Sequence, residues 1–462
     1  MDAFVIRGGR KLSGRLTING SKNASLPLMA AALMTHQPVT LRGVPRLADI
    51  ANMRRLLAEL GCSDSETTDA DGRSILTLRT ADDSNSHARY DIVRTMRASI
   101  CVLGPLLARR GHARVSMPGG CSIGDRPVDL HLRGMEALGA DITLESGDII
   151  ARAPATGRLR GARIFLGGPF GPTVLGTSNV MCAASLADGV TIIESAACEP
   201  EVVDVANLLN AMGARIRGAG TPRIVIEGVK ELHGADHEVI PDRIEAGTYM
   251  MAAAITNGRL VLDNCPIDCL LAAVDRLEHM GVHIKVLGDT AATIANGSVK
   301  DRMHATVEVS RDRTLRPVQV TTQPHPGFPT DLQAQLMALL CVAQGNSVVT
   351  ETIYTQRFLH VAELSRMGAQ LFRQGSTVVV SGVPELVGAP VMASDLRASA
   401  SLVLAGLAAK GTTTVLRVYH LDRGYEKMEV SLKALGADIE RVDDRELPGL
   451  PLATAGAASD AA

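Results

Sequence analysis

The stretch Met53-Arg54-Arg55-Leu56-Leu57-Ala58-Glu59-Leu60-Gly61 decides the fold, because it is one of six. Each is an amphipathic segment closed by Leu or Met and then Gly, usually followed by Ala and a strand, with the glycines at 61, 139, 213, 281, 368 and 436. A glycine there suits the left-handed residue that ends a helix. Upstream of each lies an Ala- and Leu-rich helical run such as Leu26 to Leu33, then a short β-branched strand such as Val39-Thr40-Leu41 or Val190-Thr191-Ile192-Ile193. Each copy therefore reads helix, strand, helix, strand, at a spacing too long for a thin solenoid repeat.

Six copies can form two groups of three, each burying its apolar helices at a shared centre with sheets outside. The runs beginning near Ala24, Arg97, Asn179, Ile244, Leu332 and Arg397 are apolar around much of their circumference, as central helices must be. The expectation is an α/β chain of two similar domains, each of three repeated units around buried helices. The alternative is an ordinary two-domain α/β protein in which the phrase is a common helix terminator. The break falls near Val239-Ile240-Pro241-Asp242, which assigns 22–240 to one domain and 1–21 with 241–446 to the other; the Ala-, Gly-, Pro- and Asp-rich tail 447–462 is expected to be disordered.

Composition limits the chemistry. The 462 residues carry a net charge of -2, which argues against a general nucleic-acid or membrane-surface partner, so an anionic ligand must be held by local arginines and lysines. No apolar run reaches a membrane span, and the N-terminus lacks the regions of a signal peptide. Eight cysteines (62, 101, 121, 182, 198, 265, 269 and 341) are scattered in no spacing typical of disulfides or zinc, and free thiols in a reducing cytoplasm are expected, with no metal and no cofactor.

Chemistry-bearing residues sit at helix starts and in shaped loops. Helix starts favour anions, and several copies place a basic residue there: Lys22, next to Asn23, in Gly20-Ser21-Lys22-Asn23-Ala24, Arg97 before Ala98-Ser99, and Arg397 before Ala398-Ser399. Arg357 and Arg423 fall in loops, where Asp422 can orient the Arg423 guanidinium. Cys121, in Pro118-Gly119-Gly120-Cys121-Ser122-Ile123-Gly124-Asp125-Arg126-Pro127, is a thiol on a non-helical loop beside a positive charge; it reads either as a surface cysteine or as an acid. Asp331, after Pro324-His325-Pro326-Gly327-Phe328-Pro329-Thr330, reads either as a helix N-cap or as a rigidly held base.

These segments together resemble the UDP-N-acetylglucosamine 1-carboxyvinyltransferases, a family of enolpyruvyl transferases. The likeness runs to about Val442 and includes Ile240-Pro241-Asp242-Arg243-Ile244-Glu245-Ala246-Gly247-Thr248 and Asp422-Arg423-Gly424-Tyr425. The resemblance implies an inside-out α/β barrel pair and transfer of the enolpyruvyl group of phosphoenolpyruvate to the 3'-hydroxyl of UDP-N-acetylglucosamine, with release of phosphate, as the first committed step of peptidoglycan synthesis. It further implies Cys121 as proton donor to C3 of phosphoenolpyruvate and Asp331 as base. Lys22, Asn23, Arg97, Arg126, Arg357, Arg397 and Arg423 would surround phosphate and carboxylate groups. Arg126, Pro127, Val128, Asp129, Leu130, Thr173 and Val174 would meet the nucleotide sugar, with Ile353 near the base. The chain departs from the family where Gly171 replaces a frequent lysine, and Cys101, where an aromatic is frequent, is assigned to packing. Another enolpyruvyl transferase, disfavoured by the Cys121 loop, and a non-catalytic or regulatory relative binding the nucleotide sugar are the alternatives.

Overall fold

The computed structural model describes residues 1–118, 128–288 and 302–446. All six repeat glycines adopt the left-handed conformation, with φ of 83°, 89°, 99°, 99°, 88° and 99° in chain order. They follow the helices Ala48–Glu59, Asp129–Ala137, Pro200–Ala211, Leu271–Met280, Leu359–Arg366 and Met428–Ala434.

The described residues contain six four-stranded sheets of one topology. In each, an edge strand runs parallel to its neighbour and the next two pairings are antiparallel, as in Ala235–Glu238, Val39–Arg42, Ser74–Thr80 and Cys62–Thr68. Strands remote in sequence complete three of them. Asp2–Arg7 enters the sheet of Thr412–Leu416 and Asp438–Asp443, Ser13–Thr17 pairs with Arg259–Cys265, and Ala235–Glu238 pairs with Val39–Arg42.

Two apolar cores lie inside these sheets. One is drawn from Ala24 to Val239, the other from Phe4 to Ile18 together with Ile244 to Ile439. At the centre of the first are Lys22–Ala31, Leu103–Arg110 and Val174–Ser185; at the centre of the second are Arg243–Ile255, Gln333–Leu340 and Leu396–Ala408. All residues of Arg243–Ile255 and of Gln333–Leu340 are buried, which explains the lack of a polar face in their sequences. Small residues let the centres close: a Cβ on Gly247 would stand 2.5 Å from Leu332 Cδ1, and one on Gly104 would stand 2.2 Å from the Asn179 carbonyl oxygen.

Two expected helix starts are corrected. The third central helix begins at Val174, not Asn179, because the Thr173 hydroxyl accepts from the Gly176 N–H and caps it there. Arg97 opens a 3₁₀ turn, Arg97–Val102, and the α-helix starts only at Leu103.

The chain passes between the two cores twice, and the passages lie side by side. Gly20 pairs with Pro241, the Ser21 N–H donates to the Ile240 carbonyl at 2.7 Å, and the Asp242 N–H donates to the Asn19 carbonyl at 2.8 Å. Two central helices start from this crossing, capped by Ser21 and Asp242, so their first residues stand between the domains.

Candidate active site

Lys22 and Asn23 open the helix capped by Ser21. Lys22 Nζ lies 2.7 Å from an oxygen of Asp49, a carboxylate only 1% exposed, and Arg423 Nε donates to the other oxygen at 2.9 Å. Burial pushes the Asp49 carboxyl up, but the charges of Lys22 and Arg423 outweigh it and hold the group below its ordinary value. Asp49 belongs to the first core and Arg423 to the second, so this ion triad bridges the domains. The expectation that Asp422 orients Arg423 is corrected: Asp422 is held by Arg441 at 3.1 Å, and Asp49 takes the Arg423 guanidinium.

Asp331 is the second centre. Arg357 Nη1 donates to one carboxylate oxygen at 2.8 Å; Arg397 Nη2 and Asn23 Nδ2 donate to the other at 3.1 and 3.3 Å. The carboxylate makes no cap to the helix Gln333–Leu340, so the N-cap reading of this residue is corrected. Burial pushes its pKa up, yet the charges of Arg397 and then Arg357 hold it well below the usual carboxylate range. Arg397 and Arg357 are 3% and 6% exposed. Arg397 is placed by the Asp395 cap of its helix, and its Nη1 donates to the Tyr425 hydroxyl at 3.3 Å. That hydroxyl also accepts from Gln335 Nε2 at 3.1 Å and lies 2.9 Å from the Thr248 hydroxyl, so it meets all three central helices of the second domain.

Six of the residues singled out from the sequence are thus brought together: Lys22, Asn23, Asp331, Arg357, Arg397 and Arg423. The others are more spread. Thr173 and Val174 begin the third central helix, Arg97 begins the 3₁₀ turn before Leu103, and Val128, Asp129 and Leu130 form the start of Asp129–Ala137. Ile353 lies in the loop that leads to Arg357, its N–H donating to Glu351 at 2.8 Å. The small hairpin Gly167–Gly168 with Gly171–Pro172 reaches across the domains: a Cβ on Gly168 would stand 3.1 Å from Leu130 Cδ1, and one on Gly171 3.1 Å from Pro324 Cγ. Cys101 is buried, its thiol pushed up by desolvation beside Cys182, in keeping with packing. Cys121, Arg126, Pro127 and the tail from 447 lie outside the described residues. Among the described residues, no group of three or more His, Cys, Asp or Glu side chains is placed to hold a metal ion.

Sequence reasoning missed Asp49 and the role of Tyr425. Asp49 stands in the first turn of an amphipathic helix, where the dipole alone favours an acid, so no local signal marks it. Tyr425 stood inside a noted motif, but nothing local showed that its hydroxyl would be enclosed by three helices.

A family model described as EPSP synthase (3-phosphoshikimate 1-carboxyvinyltransferase) matches residues 6–432. The chain belongs to this family. It is 52% identical over 443 residues to the UDP-N-acetylglucosamine 1-carboxyvinyltransferase of Magnetococcus marinus, a match covering 96% of this chain and 100% of that one. The enzyme of the same name from Granulibacter bethesdensis is 54% identical over 442 residues, with 96% and 100% covered. Among solved structures, the enolpyruvyl transferase NikO from Streptomyces tendae superposes with a TM-score of 0.81 at 26% identity, covering 96% of this chain and 99% of its own. EPSP synthase from Acinetobacter baumannii shares the fold, with a TM-score of 0.72 at 19% identity over 96% of this chain and 100% of its own. The two-domain inside-out α/β architecture of this family is the one described above.

Proposed function

We propose that this chain is an alkyl-group transferase that moves the enolpyruvyl group of phosphoenolpyruvate onto the 3'-hydroxyl of UDP-N-acetylglucosamine and releases phosphate. The observation that carries the reading is the Asp331 carboxylate fixed between Arg357 and Arg397 beside Asn23, at the place where the domains meet. Full-length relatives at 52% and 54% identity that bear this activity in their name support it.

In the first half of the reaction the sugar hydroxyl oxygen bonds to C2 of phosphoenolpyruvate while C3 takes a proton from the Cys121 thiol. The hydroxyl proton passes to Asp331. In the second half the Cys121 thiolate takes a proton back from C3, the double bond re-forms, the C2–O bond to phosphate breaks, and the proton held by Asp331 leaves with the phosphate. Protonation at C3 builds positive character at C2, which a nearby carboxylate stabilises, while guanidiniums take the charge of the departing phosphate. Two arginines on Asp331 make it a weak base in the free protein. An anion taken by Arg397 and Arg357 adds negative charge beside Asp331 and raises its basicity, so phosphoenolpyruvate itself prepares the base. Lys22 and Arg423 supply further positive charge, and Arg97 and Arg126 complete the anion site.

The nucleotide sugar would lie against Arg126, Pro127, Val128, Asp129, Leu130, Thr173, Val174 and Ile353. The proposed domains are 22–240 and 1–21 with 241–446, a division supported by the side-by-side passages at residues 18–22 and 239–243, and the cleft between them is expected to close on substrate. The reaction belongs to peptidoglycan synthesis in the cytoplasm and through it to cell shape, the cell cycle and division. No helix among the described residues is long and apolar enough to cross a membrane.

Phosphate release from phosphoenolpyruvate tests the reading. Release with UDP-N-acetylglucosamine and not with shikimate 3-phosphate is expected, together with loss of turnover in Cys121→Ser. Silence with both acceptors refutes the proposed activity.

A further inference from the structure

Glu351 is a fully buried carboxylate just beyond the strand Asn346–Thr350, and among the described residues no cation of the site contacts it directly. A buried charge without a contacting cation costs several kcal/mol of desolvation unless hydrogen bonds meet its lone pairs. Four donors meet these. One oxygen accepts from the Thr322 hydroxyl at 2.8 Å, the Ile353 N–H at 2.8 Å and the Tyr354 N–H at 2.9 Å. The other accepts from the Thr330 hydroxyl at 2.9 Å.

The donors come from two loops, and each loop delivers a site residue. Thr322 and Thr330 bracket the segment that ends in Asp331; Ile353 and Tyr354 begin the segment that ends in Arg357. Thr352 also ties the loops together, its N–H donating to the Thr322 hydroxyl at 2.9 Å, but that bond lies at the end remote from the chemistry. At the near end the Thr330 hydroxyl does two things at once. It donates to Glu351 and accepts from Arg357 Nη1 at 3.1 Å, the same nitrogen that donates to Asp331 at 2.8 Å. Arg357 Nη1 thus donates to Asp331 on one side and to Thr330 on the other, and Thr330 donates on to Glu351, so the bond to Glu351 polarises the Thr330 hydroxyl that holds the guanidinium in place.

We propose that Glu351 is a positioning residue which, through Thr330, sets the Arg357 guanidinium against Asp331 for phosphoenolpyruvate. This rests on the activity proposed above. Glu351 is too enclosed to touch substrate and acts only through its neighbours. Two variants separate this role from loop packing. In Glu351→Gln the oxygen facing Thr322, Ile353 and Tyr354 can be kept, while the amide nitrogen donates to Thr330 and reverses the first bond of the relay. Thr330→Val preserves shape and deletes the relay at its midpoint.

The experiment is steady-state phosphate release for the parent protein, both single variants and the double variant, with each substrate varied in turn and folding followed by far-UV circular dichroism. Each single variant is expected to lower kcat/KM for phosphoenolpyruvate roughly tenfold or more, the worth of one charge-assisted hydrogen bond, with KM for UDP-N-acetylglucosamine within about twofold of the parent. The double variant should be no worse than the poorer single, because both cut one relay. The proposal is overturned if either folded single variant stays within about twofold of the parent, if the losses multiply, or if both substrates are weakened equally. Should Glu351→Gln fail to fold, Thr330→Val decides alone. A silent parent refutes the function and this role with it, whereas an active parent with indifferent variants refutes only the role.

Discussion

Replacing Asp331 by Asn leaves Arg357 and Arg397 facing one another at 6% and 3% exposure with no carboxylate between them. Neither guanidinium can shed its charge. Removing one partner of a buried ion pair costs about 3–5 kcal/mol, and a unit charge some 4 Å from each arginine at an effective dielectric near 20 is worth about 4 kcal/mol per pair, the same scale. Asp331 is itself 26% exposed, and an amide oxygen still accepts one bond, so the lower end of that range, about 3 kcal/mol, is expected. The chain contains no Trp, so urea unfolding is best followed by far-UV circular dichroism. Inorganic phosphate should restore more stability to the variant than to the parent, because it replaces the missing charge. Turnover should fall at least about a hundredfold, the usual lower bound for loss of a general base. The sign of the pH dependence follows from the lowered pKa: the stabilisation by Asp331 is present above the ordinary value of 3.8 and is lost as pH falls through its folded value. The stability gap between parent and variant should therefore narrow in acid. A variant within about 1 kcal/mol of the parent, equally responsive to phosphate, would refute the assignment of Asp331 as the counter-charge of this site.

Glu245, buried at the crossing and accepting from the Asn19 N–H at 2.8 Å and Nδ2 at 3.0 Å, is pushed up to about 8 by desolvation and then by Asp242. The folded protein holds a proton that the unfolded chain releases near 4.5, so this contribution is complete below 4.5 and lost as pH rises through about 8. Glu245→Gln should flatten the fall in stability across that window, and parallel profiles for parent and variant would show Glu245 to be ionised in the fold. Tyr425→Phe removes an acceptor from Arg397 while Gln335 and Thr248 keep each other at 3.2 Å. It should cost about 1–2 kcal/mol in urea unfolding and raise KM for phosphoenolpyruvate several-fold, with an unchanged KM arguing that Arg397 needs no such support. Gly20→Ala places a Cβ 2.0 Å from the Gly43 carbonyl oxygen, so the crossing must shift. A loss of about 1–3 kcal/mol with reduced turnover is expected, and a variant as stable and active as the parent would mean that the passages move freely.

The repeat architecture was legible because its signals are local. A left-handed glycine ends a helix wherever it stands, and a helix without a polar face must be buried, so six terminators and six apolar runs imply two three-unit domains from sequence alone. Helix starts were less legible. Thr173 and Leu103 define them through a side-chain cap and a 3₁₀ entry that composition does not distinguish from a loop. The basic residues at helix starts could be named from sequence, and six of the residues singled out lie together in the fold, but their partners could not be named. Arg423 stands next to Asp422 in the chain and yet pairs with Asp49, 374 residues away, because the 3₁₀ turn Val418–Arg423 sends the two neighbours in different directions. In the same way Tyr425 is enclosed by three helices, and Glu351 joins two loops, only once those elements have packed. Charges, caps and terminators are properties of a few adjacent residues and can be read along the chain. Which carboxylate neutralises which arginine is decided by folding across the domain crossing, since an ion pair depends on distance in space and on the water that tertiary packing removes.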